Sequence, residues 1–414
     1  MKIALLSQSY PPMVSGAAVV TKGIAEHMAN RNHQVLVLTS SESPFPYTIN
    51  KKNLLVKRFR SQKNLLRVGQ RFTLWPHSSI MAALQSFSPD IIHAHDPFQF
   101  ALSGLAYARK ARIPVVFTAH QVPSIVRSYS PDRRITGSLV ERCMWAYSRR
   151  IGKRFSLITA PTRTIADLIS SRTGILPAAI PFGIDTALFH TGPLNPDEDD
   201  ALRAELGVPP GAQILLHVGR LDMDKKVDLV IQAAVQAMIN EQTHLLIAGD
   251  GTEKSRLIQL TKRLGMSERT HFPGFVDRQG ILPGIYRMAS IFITASETET
   301  QGLVLLEAAA CGLPIVAVNA TCIPEIVHAG ENGYLAPPGD VDCMARYISC
   351  LLEDPSLSES MGQAGARIAR GLDIQHSIDA YEAAYYQAVK LSQQISFSPT
   401  RAWQARAKHS GVSD

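Results

Sequence analysis

Short apolar runs alternate with longer amphipathic segments along most of the chain. Runs that are apolar at consecutive positions are typical of parallel strands buried on both faces of a sheet. The segments between them have the spacing of helices, so both halves are predicted to be α/β, with doubly wound parallel sheets. The runs that predict strands are "KIALLSQ", "QVLVLTS", "DIIHAH", "PVVFTAH" and "SLITAP" in the first half, and "QILLHVG", "HLLIAGD", "THFPGF", "SIFITAS" and "PIVAVNA" in the second.

The chain has 414 residues, which is long for a single hydrophobic core and favours two domains. The polar, proline-containing stretch "HTGPLNPDEDD" at 190–200 is typical of a linker. We therefore predict two Rossmann-like domains, an N-terminal one over 1–189 and a C-terminal one over 190–374. A helix over 375–391 is expected to cross back to the first domain. The tail 392–414 lacks periodicity and is expected to be mobile.

Charge is distributed unevenly between the two halves. Residues 1–185 contain 24 Lys and Arg against 8 Asp and Glu, whereas the rest of the chain contains 18 against 27. Two segments, 51–72 and 127–155, each carry eight of these cations among apolar residues. Their flanks contain no RRM, KH or helix-turn-helix signature, so nucleic acid is not expected as a partner. Cations interleaved with apolar side chains instead favour an anionic lipid surface, with a simple solvated face as the alternative.

Cysteine usage and the first residues indicate the compartment. The five cysteines are odd in number and have no metal-ligand spacing, and "MKIALLSQSYPP" is typical of a strand rather than of a signal peptide. These features predict a protein of the reducing cytoplasm. No apolar run approaches the roughly 20 residues that a membrane-spanning helix needs. Contact with a membrane is therefore expected at its surface, on the inner face of the cell membrane.

Candidate ligand residues follow the predicted strands of the first half. Ligands of open α/β sheets bind at the carboxyl ends of the strands. Gly16 precedes a helix predicted over about 17–30 and suits a phosphate or a sugar at the helix N-terminus. His120 ends "PVVFTAH" and is expected to face the cleft, whereas His93 and His95 lie nearer the strand and are expected to be structural. The chain has no G-x-G-x-x-G at this loop, which argues against a nicotinamide or flavin.

Two cations follow the first strand of the second half, in "HVGRLDMDKKVDL". Arg220 and Lys225 can neutralise a diphosphate, Arg220 with bidentate geometry and Lys225 as a point charge. The alternative for Arg220 is an ion pair with Asp222 or Asp224. These two aspartates also form a D-x-D motif, but the motif alone is too common to indicate a metal site, and none is expected.

The next two strands of the second half end in further candidates. "IAGDGTEKSRL" contains small residues past which a ligand could approach the backbone, and "HFPGFV" offers main-chain groups that could contact a base edge. These candidates are Gly249, Asp250, Gly251, Phe275 and Val276.

The stretch "ASETETQGLVLLEAAACGLPIVA" combines a polar loop with an apolar helix that is predicted to start near Gly302. Backbone N–H groups in the first turn of a helix lack intrahelical partners and bind anions. The amides of Gln301, Gly302 and Leu303 are therefore expected to hold a phosphate. Glu299 precedes the helix and is expected to accept hydrogen bonds from sugar hydroxyls, while Glu307 lies inside it and is expected to reach a ribose.

These motifs together resemble the retaining glycosyltransferase family four, which has the GT-B fold of two facing Rossmann-like domains with the active site in the cleft. The resemblance covers about residues 1–390, and it implies that domain 1–189 lies on the acceptor side and that domain 190–374 binds a nucleotide sugar. It rests on "VGRL" followed by Lys225, "AGDG", the two glutamates separated by seven residues in "ETQGLVLLEAAACGLPIVA", and "ENGYLAPPGD", in the family's order. Two positions depart from the family pattern: Lys226 stands where glycine is frequent, and "MVSGAA" replaces a double glycine.

The resemblance implies a role for each matching residue. By this likeness Glu307 binds the nucleotide ribose, Glu299 binds hydroxyls of the donor sugar, and His120 lies beside that sugar. Arg220 and Lys225 match the cations of the diphosphate site. Gly16 matches the glycine of the phosphate site in the first domain.

Within this family, "TAHQVP" and "ETQGLVLLEA" look most similar to members that glycosylate membrane lipids such as diacylglycerol. The resemblance implies retaining transfer of glucose from UDP-glucose to a lipid, without a cofactor. No residue is marked out as the base that an inverting enzyme would need, or as a nucleophile. No obligatory metal is expected, because Arg220, Lys225 and the helix N-terminus would stabilise the departing charge in its place. The alternatives are a soluble or polysaccharide acceptor, a UDP-sugar 2-epimerase, and a non-catalytic sugar-nucleotide-binding protein. The sequence leaves the oligomeric state open.

Overall fold

The computed structural model describes residues 1–13, 15–63, 71–125, 136–192, 194–238 and 241–397. Each half of the chain forms one main sheet with helices on both faces. The N-terminal half contains β1 (Lys2–Ser7), α1 (Gly16–Asn30), β2 (Gln34–Ser40), β3 (Tyr47–Lys51), β4 (Leu54–Phe59), β5 (Gln62–Lys63), β6 (Arg71–Phe72), α2 (His77–Phe87), β7 (Ile91–Ala94), α3 (Gln99–Ala111), β8 (Val115–Thr118), α4 (Thr136–Gly152), β9 (Leu157–Ala160), α5 (Arg163–Thr173) and β10 (Ala178–Ala179). The C-terminal half contains α6 (Pro196–Leu206), β11 (Gln213–Val218), α7 (Val227–Ala237), β12 (Thr243–Ala248), α8 (Lys254–Arg263), β13 (Thr270–Gly274), α9 (Leu282–Met288), β14 (Ile291–Ile293), α10 (Leu303–Ala310), β15 (Ile315–Val318), β16 (Gly333–Ala336), α11 (Val341–Glu353), α12 (Pro355–Gly371) and α13 (Ile374–Phe397).

The strand order of each sheet fixes where a ligand can bind. The first sheet has the order β10–β9–β8–β7–β1–β2–β4–β3, parallel except for the edge strand β3, and β5 and β6 form a separate antiparallel pair. The second sheet is wholly parallel, in the order β13–β12–β11–β14–β15–β16. The order reverses between β1 and β7 in the first sheet, and between β11 and β14 in the second. Ligands of Rossmann-like sheets bind in the crevice at this reversal.

Each of the ten predicted runs coincides with an observed strand, so the predicted pair of parallel sheets is confirmed. Strand β1 shows why the runs are apolar throughout. Ile3 and Leu5 pack into the core on one face of the first sheet, and Ala4 and Leu6 pack into the core on the other. A strand covered by helices on both faces needs apolar side chains at odd and even positions alike.

The last helix, α13, follows the second domain but packs on the first sheet. Tyr381 and Tyr385 are fully buried there, in the same cluster as residues of α1 and β1. The two chain segments that join the domains lie side by side at Ile184. Its amide donates to the Leu372 carbonyl at 2.8 Å, and its carbonyl accepts from the Ile374 amide at 3.0 Å.

Two segments between and after the domains are more helical than expected. The side chain of Asn195 accepts a hydrogen bond from the Asp197 amide and caps α6, so the predicted linker is helical from Pro196 onward. Helix α13 continues through 392–397, where a mobile tail was expected. The remaining tail residues, 398–414, lie outside the described residues.

The basic segment 51–72 is partly internal, contrary to its expected role as a lipid-facing surface. Strand β4 lies between β2 and β3, and this position buries Leu54, Val56 and Phe59. These apolar side chains belong to the core and are not available to a bilayer. Residues 64–70 of the segment lie outside the described residues. No described helix has the length and hydropathy that crossing a membrane requires.

Candidate active site

The loops that follow β11 and β14 meet at the strand-order reversal of the second sheet. Lys225 and Glu299 lie in these two loops, and their side chains form an ion pair with 2.5 Å between Nζ and Oε1. Burial raises the pKa of Glu299, but the Lys225 charge and its hydrogen bond outweigh this effect, so the net pKa is lowered. Glu299 is therefore a carboxylate at neutral pH, held next to a cation in the crevice.

Arg220 forms the ion pairs that the sequence offered as its alternative. Its guanidinium bonds to the Asp222 carboxylate and lies 3.1 Å from Asp224 Oδ2. The other oxygen of Asp222 accepts from the Thr252 amide at 3.1 Å, so this cluster also links the loops after β11 and β12. Binding of a diphosphate by Arg220 stays a prediction. Among the described residues, no group of three or more His, Cys, Asp or Glu is arranged to hold a metal ion.

Lys226, which stands where the family often has glycine, adopts a left-handed backbone with φ of 50°. Residues other than glycine and asparagine rarely adopt this backbone conformation, which explains why glycine is frequent at this position in the family. The Lys226 side chain pairs with Glu297, which is two residues before Glu299 in the chain.

Helix α10 starts at Leu303, where the sequence predicts it. Gly302 precedes it with φ of 76°, a left-handed conformation that favours glycine. The Gln301 side chain is bonded to both backbone groups of Phe182, with 3.2 Å to the Phe182 amide. Gln301 thus connects the loop to the first domain through its side chain, and only its backbone could face a ligand.

Glu307 is buried in α10 and has two protein partners. Its Oε1 accepts from Arg278 Nε at 2.7 Å, and its Oε2 accepts from the Tyr286 hydroxyl at 2.9 Å. Burial, and then the charge of Glu307, raise the pKa of Tyr286 well above its usual value, so the hydroxyl stays protonated and donates. Sequence reasoning missed both partners. Arg278 lies in the loop after β13, at the carboxyl end of a strand, and this position is the sequence signal that indicates it as a candidate.

The glycines after β12 are approached by the protein's own backbone. A Cβ on Gly249 would lie 1.8 Å from the Gly219 carbonyl oxygen, and one on Gly251 would lie 2.4 Å from the Leu221 carbonyl oxygen. These glycines therefore let the loops after β11 and β12 pack together, which is a role the sequence did not predict. Asp250 caps the Gly251 amide at 2.8 Å.

The predicted contacts to a base lie in the loop after β13. Phe275 is 56% exposed and Val276 is half-buried, packing at the edge of the second core. The contacts expected from the sequence are made by their main-chain groups, and this role stays a prediction.

Residues of the first domain reach the same loop from the opposite side. The Thr300 hydroxyl donates to the His120 carbonyl at 2.9 Å, and the Thr162 hydroxyl donates to the Thr300 carbonyl at 3.1 Å. A Cβ on Gly16 would lie 3.9 Å from Leu303 Cδ1, so the start of α1 faces the start of α10. The structure thus brings His120, Gly16 and the loop before α10 together between the two sheets.

Comparison with known proteins agrees with this architecture. Residues 14–188 match the family described as Glycosyltransferase Family 4, and residues 198–368 match Glycosyl transferases group 1. The D-inositol 3-phosphate glycosyltransferase of Kribbella flavida is 30% identical over 73% of this chain and 72% of that enzyme. The chain belongs to glycosyltransferase family 4. The resemblance stated from the sequence is therefore confirmed.

Two other relatives bear on the lipid subgroup and on the fold. The alpha-monoglucosyldiacylglycerol synthase of Streptococcus pneumoniae is 25% identical over 87% of this family 4 chain and 80% of that enzyme. The crystal structure of HepE from Anabaena in complex with UDP and glucose superposes with a TM-score of 0.75 at 23% identity, over 94% of this chain and all of that one. The fold is GT-B, as the sequence predicts.

Proposed function

We propose that this glycosyltransferase moves glucose from UDP-glucose to a membrane lipid such as diacylglycerol, with retention of configuration. The observation that carries the proposal is the Lys225–Glu299 pair at the strand-order reversal, beside the N-terminus of α10. Lys225 supplies positive charge for a leaving diphosphate, and Glu299 supplies oxygens that accept from sugar hydroxyls. The carboxylate of Glu307, further along the same helix, is the acceptor for ribose hydroxyls.

The reaction needs no protein nucleophile. The bond from the sugar C1 to the diphosphate breaks while the acceptor oxygen attacks C1 from the same face. A diphosphate oxygen takes the proton of the acceptor hydroxyl. Lys225, Arg220 and the first amides of α10 stabilise the departing negative charge, so the rate depends on positioning and electrostatics.

These cations and amides take the place of a divalent metal in the proposed reaction. The rate of transfer is therefore expected to stay within about twofold when EDTA is added. Complete inhibition by EDTA, reversed by magnesium or manganese, would show that Asp222 and Asp224 hold a metal in the working enzyme.

A uridine diphosphate donor is supported by the HepE complex, whose ligands are UDP and glucose. A thermal-shift screen of UDP- and GDP-sugars tests the donor, because a ligand that binds only the folded state stabilises it by mass action. UDP-glucose is expected to give the largest rise in melting temperature. A larger rise in melting temperature with a GDP-sugar would show that the donor is that GDP-sugar and not UDP-glucose.

A lipid acceptor is supported by the surface of α4 in the first domain. Leu139 and Val140 are 62% and 43% exposed, and Phe98 beside them is 52% exposed. They belong to a shallow groove of about 460 Å³ lined by Phe98, Leu139, Val140, Cys143, Met144 and Tyr147. Exposed apolar patches of this kind mark contact sites for membranes or other apolar partners.

Cations accompany this apolar surface. Arg142, Arg149 and Arg150 are exposed on the same helix. Each Lys or Arg near an anionic bilayer contributes about 1 kcal/mol, an attraction that fades within a Debye length of about 8 Å at physiological salt. The protein would thus reside in the cytoplasm and bind reversibly to the inner face of the cell membrane. The part of this basic segment at 127–135 lies outside the described residues.

Vesicle sedimentation tests the docking surface. The protein should pellet with phosphatidylglycerol vesicles at low salt, much less with neutral vesicles, and be released as salt rises. The double change Leu139→Asp and Val140→Asp should abolish pelleting. The control Leu176→Asp, at a position 71% exposed elsewhere in the first domain, should leave it unchanged. Equal pelleting with neutral vesicles, or equal loss in the control, would refute docking through α4.

The function itself is tested by incubating the protein with radiolabelled sugar nucleotides and diacylglycerol-containing vesicles. We expect the label to enter the lipid fraction. Label on a soluble acceptor such as an inositol phosphate would favour the soluble-acceptor alternative, which the Kribbella flavida relative supports by its name. Epimerised free nucleotide would indicate a 2-epimerase, and binding without turnover a non-catalytic protein.

A further inference from the structure

Three histidines stack at the carboxyl ends of β7 and β8, below the cleft. The ring centroids of His93 and His95 are 4.1 Å apart, and those of His95 and His120 are 5.1 Å apart with the rings inclined by only 18°. His95 Nδ1 lies 2.8 Å from His120 Nε2, so one hydrogen bond joins these two rings. The sequence indicates a structural role for His95, but this bond connects it directly to His120, the histidine that is expected to face the cleft.

All three imidazoles are neutral at physiological pH. Burial lowers the pKa of His93 to about 3 and that of His120 to about 4, and it holds the pKa of His95 well below its usual value. Among the described residues, no carboxylate is hydrogen-bonded to any of them, so nothing offsets the loss of solvation. Each ring therefore carries one proton, on one of its two nitrogens.

The bond between His95 and His120 allows two arrangements of those protons. Either His95 Nδ1–H donates to an unprotonated His120 Nε2, or His120 Nε2–H donates to His95 Nδ1. In the second arrangement the proton of His95 sits on Nε2, which is buried and has no partner among the described residues. A buried N–H without an acceptor is the costlier defect, because an orphaned donor is rarer than an unused acceptor lone pair. The first arrangement is therefore favoured.

The His93 ring is held by two hydrogen bonds and packs against the ring of His95. Its Nδ1 lies 2.6 Å from the Tyr385 hydroxyl of α13, and its Nε2 lies 2.7 Å from the Thr118 hydroxyl. The Thr118 hydroxyl in turn bonds to that of Thr159 at 2.6 Å. With both ring nitrogens occupied, the His93 ring cannot turn, and its face supports the ring of His95.

We propose that His95 is a positioning residue that fixes the tautomer of His120, so that His120 presents Nδ1–H to the cleft as a hydrogen-bond donor. The Nδ1 atom of His120 has no hydrogen-bond partner among the described residues, and the residue keeps some solvent exposure, so this nitrogen is available to a ligand. The His120 carbonyl accepts a hydrogen bond from Thr300, next to Glu299, so His120 lies beside the loop where the sugar nucleotide would bind. The assignment to a sugar or phosphate oxygen rests on the proposed function, whereas the tautomer does not.

Long-range ¹H–¹⁵N spectroscopy of protein labelled at histidine tests the tautomer without substrate. The signals of His120 are identified by their loss in His120→Ala. In the wild type we expect a protonated Nδ1 and an unprotonated Nε2. A protonated Nε2 would overturn the proposal, whatever the enzyme does. His95→Leu should let both tautomers appear, and His95→Asn should restore the wild-type pattern because its amide N–H replaces Nδ1–H.

Kinetics give a second, independent readout. In His95→Leu we expect kcat for transfer to fall about tenfold, which corresponds to the loss of one hydrogen bond of about 1.4 kcal/mol. Affinity for UDP, measured by calorimetry, should stay the same, and His95→Asn should recover kcat to within about threefold. If His95→Leu lowers the melting temperature but leaves kcat and the tautomer of His120 unchanged, His95 does not position His120 and the proposal is wrong. If His120 has the expected tautomer but the protein transfers no sugar, the proposed function is refuted and the tautomer assignment stands.

Discussion

In the cleft, side chains of opposite charge form ion pairs with each other. A bound substrate would have to replace these ion pairs with its own contacts. Lys225 pairs with Glu299, and Arg278 pairs with Glu307. Each pair removes the cost of a buried unpaired charge. The same side chains can turn to ligand groups of the matching sign, so binding replaces one satisfied arrangement with another.

Glu307→Ala is expected to abolish most transfer and also to destabilise the fold. The glutamate is 3% exposed, and its loss leaves Arg278 and the Tyr286 hydroxyl without their acceptor. Such unsatisfied groups cost about 1 to 3 kcal/mol of unfolding free energy. Urea denaturation and the transfer rate measure the two effects. The control Glu331→Ala, on an exposed carboxylate paired only with His328, should change neither. Near-native turnover of Glu307→Ala would refute the site assignment.

Buried neutral histidines predict a loss of stability in acid. Burial lowers the pKa of His93 to about 3 and that of His217 to about 4, while the unfolded chain takes up these protons near pH 6.5. Stability is therefore complete above pH 6.5 and falls as the pH drops from there toward 4. Asp96 acts in the opposite sense, because burial raises its pKa to about 6 and favours its neutral form in the folded protein.

The melting temperature should thus fall between about pH 6.5 and pH 4.5, since the depressed histidines outnumber Asp96. His217→Asn should make this decline shallower, because the amide can still donate to the Ile293 carbonyl, which lies 2.9 Å from His217 Nδ1, but does not titrate. A melting temperature that stays level or rises on acidification would contradict the assigned protonation states.

At the scale of elements, α13 joins the end of the chain to the first sheet. Tyr385 is fully buried and bonds to His93, whereas its neighbour Tyr386 is 55% exposed. Tyr385→Ala should lower the unfolding free energy by about 3 to 5 kcal/mol, because it opens a cavity and removes a hydrogen bond. Tyr386→Ala, the matched control one residue on, should change it by less than about 0.5 kcal/mol. Similar losses in both variants would contradict the packing of α13.

Elements with a simple local pattern were predictable from the sequence. The apolar runs marked the strands of both sheets, and the change from "ETETQ" to "LVLLEAAA" marked the start of α10. Strand β3 was not predicted, because Tyr47–Lys51 is an exposed, polar edge strand without alternation. Strand β4 was assigned to a lipid surface because its cations hid the alternating buried positions of "LLVKRF".

The site was predictable as a set of residues but not as a set of contacts. Glu299 and Glu307 could be found from the loop and helix that carry them. Their partners could not, because Lys225 and Arg278 come from other loops that only the folded chain brings near. The roles of Gly249 and Gly251 also depend on a neighbouring loop.

At the scale of the whole molecule, the two sheets present their carboxyl edges to one cleft, and the Thr300 loop of the second domain is hydrogen-bonded to His120 and Thr162 of the first. The excess of cations and the exposed apolar face of α4 both lie in the first domain, which is the proposed acceptor side. Donor and acceptor would therefore approach from different domains, with the donor in the acidic half and the acceptor at the bilayer.

The central claim is retaining transfer of glucose to lipid, and the configuration of the product tests it most directly. The protein would be incubated with UDP-glucose and diacylglycerol vesicles, and the purified glycolipid examined by ¹H NMR. UDP-glucose is an α-glucoside, so the account predicts an α-linked glucosyl lipid, recognised by the small coupling of its anomeric proton. A β-linked product would contradict the same-face mechanism, and the absence of any glucosyl lipid would contradict the proposed acceptor.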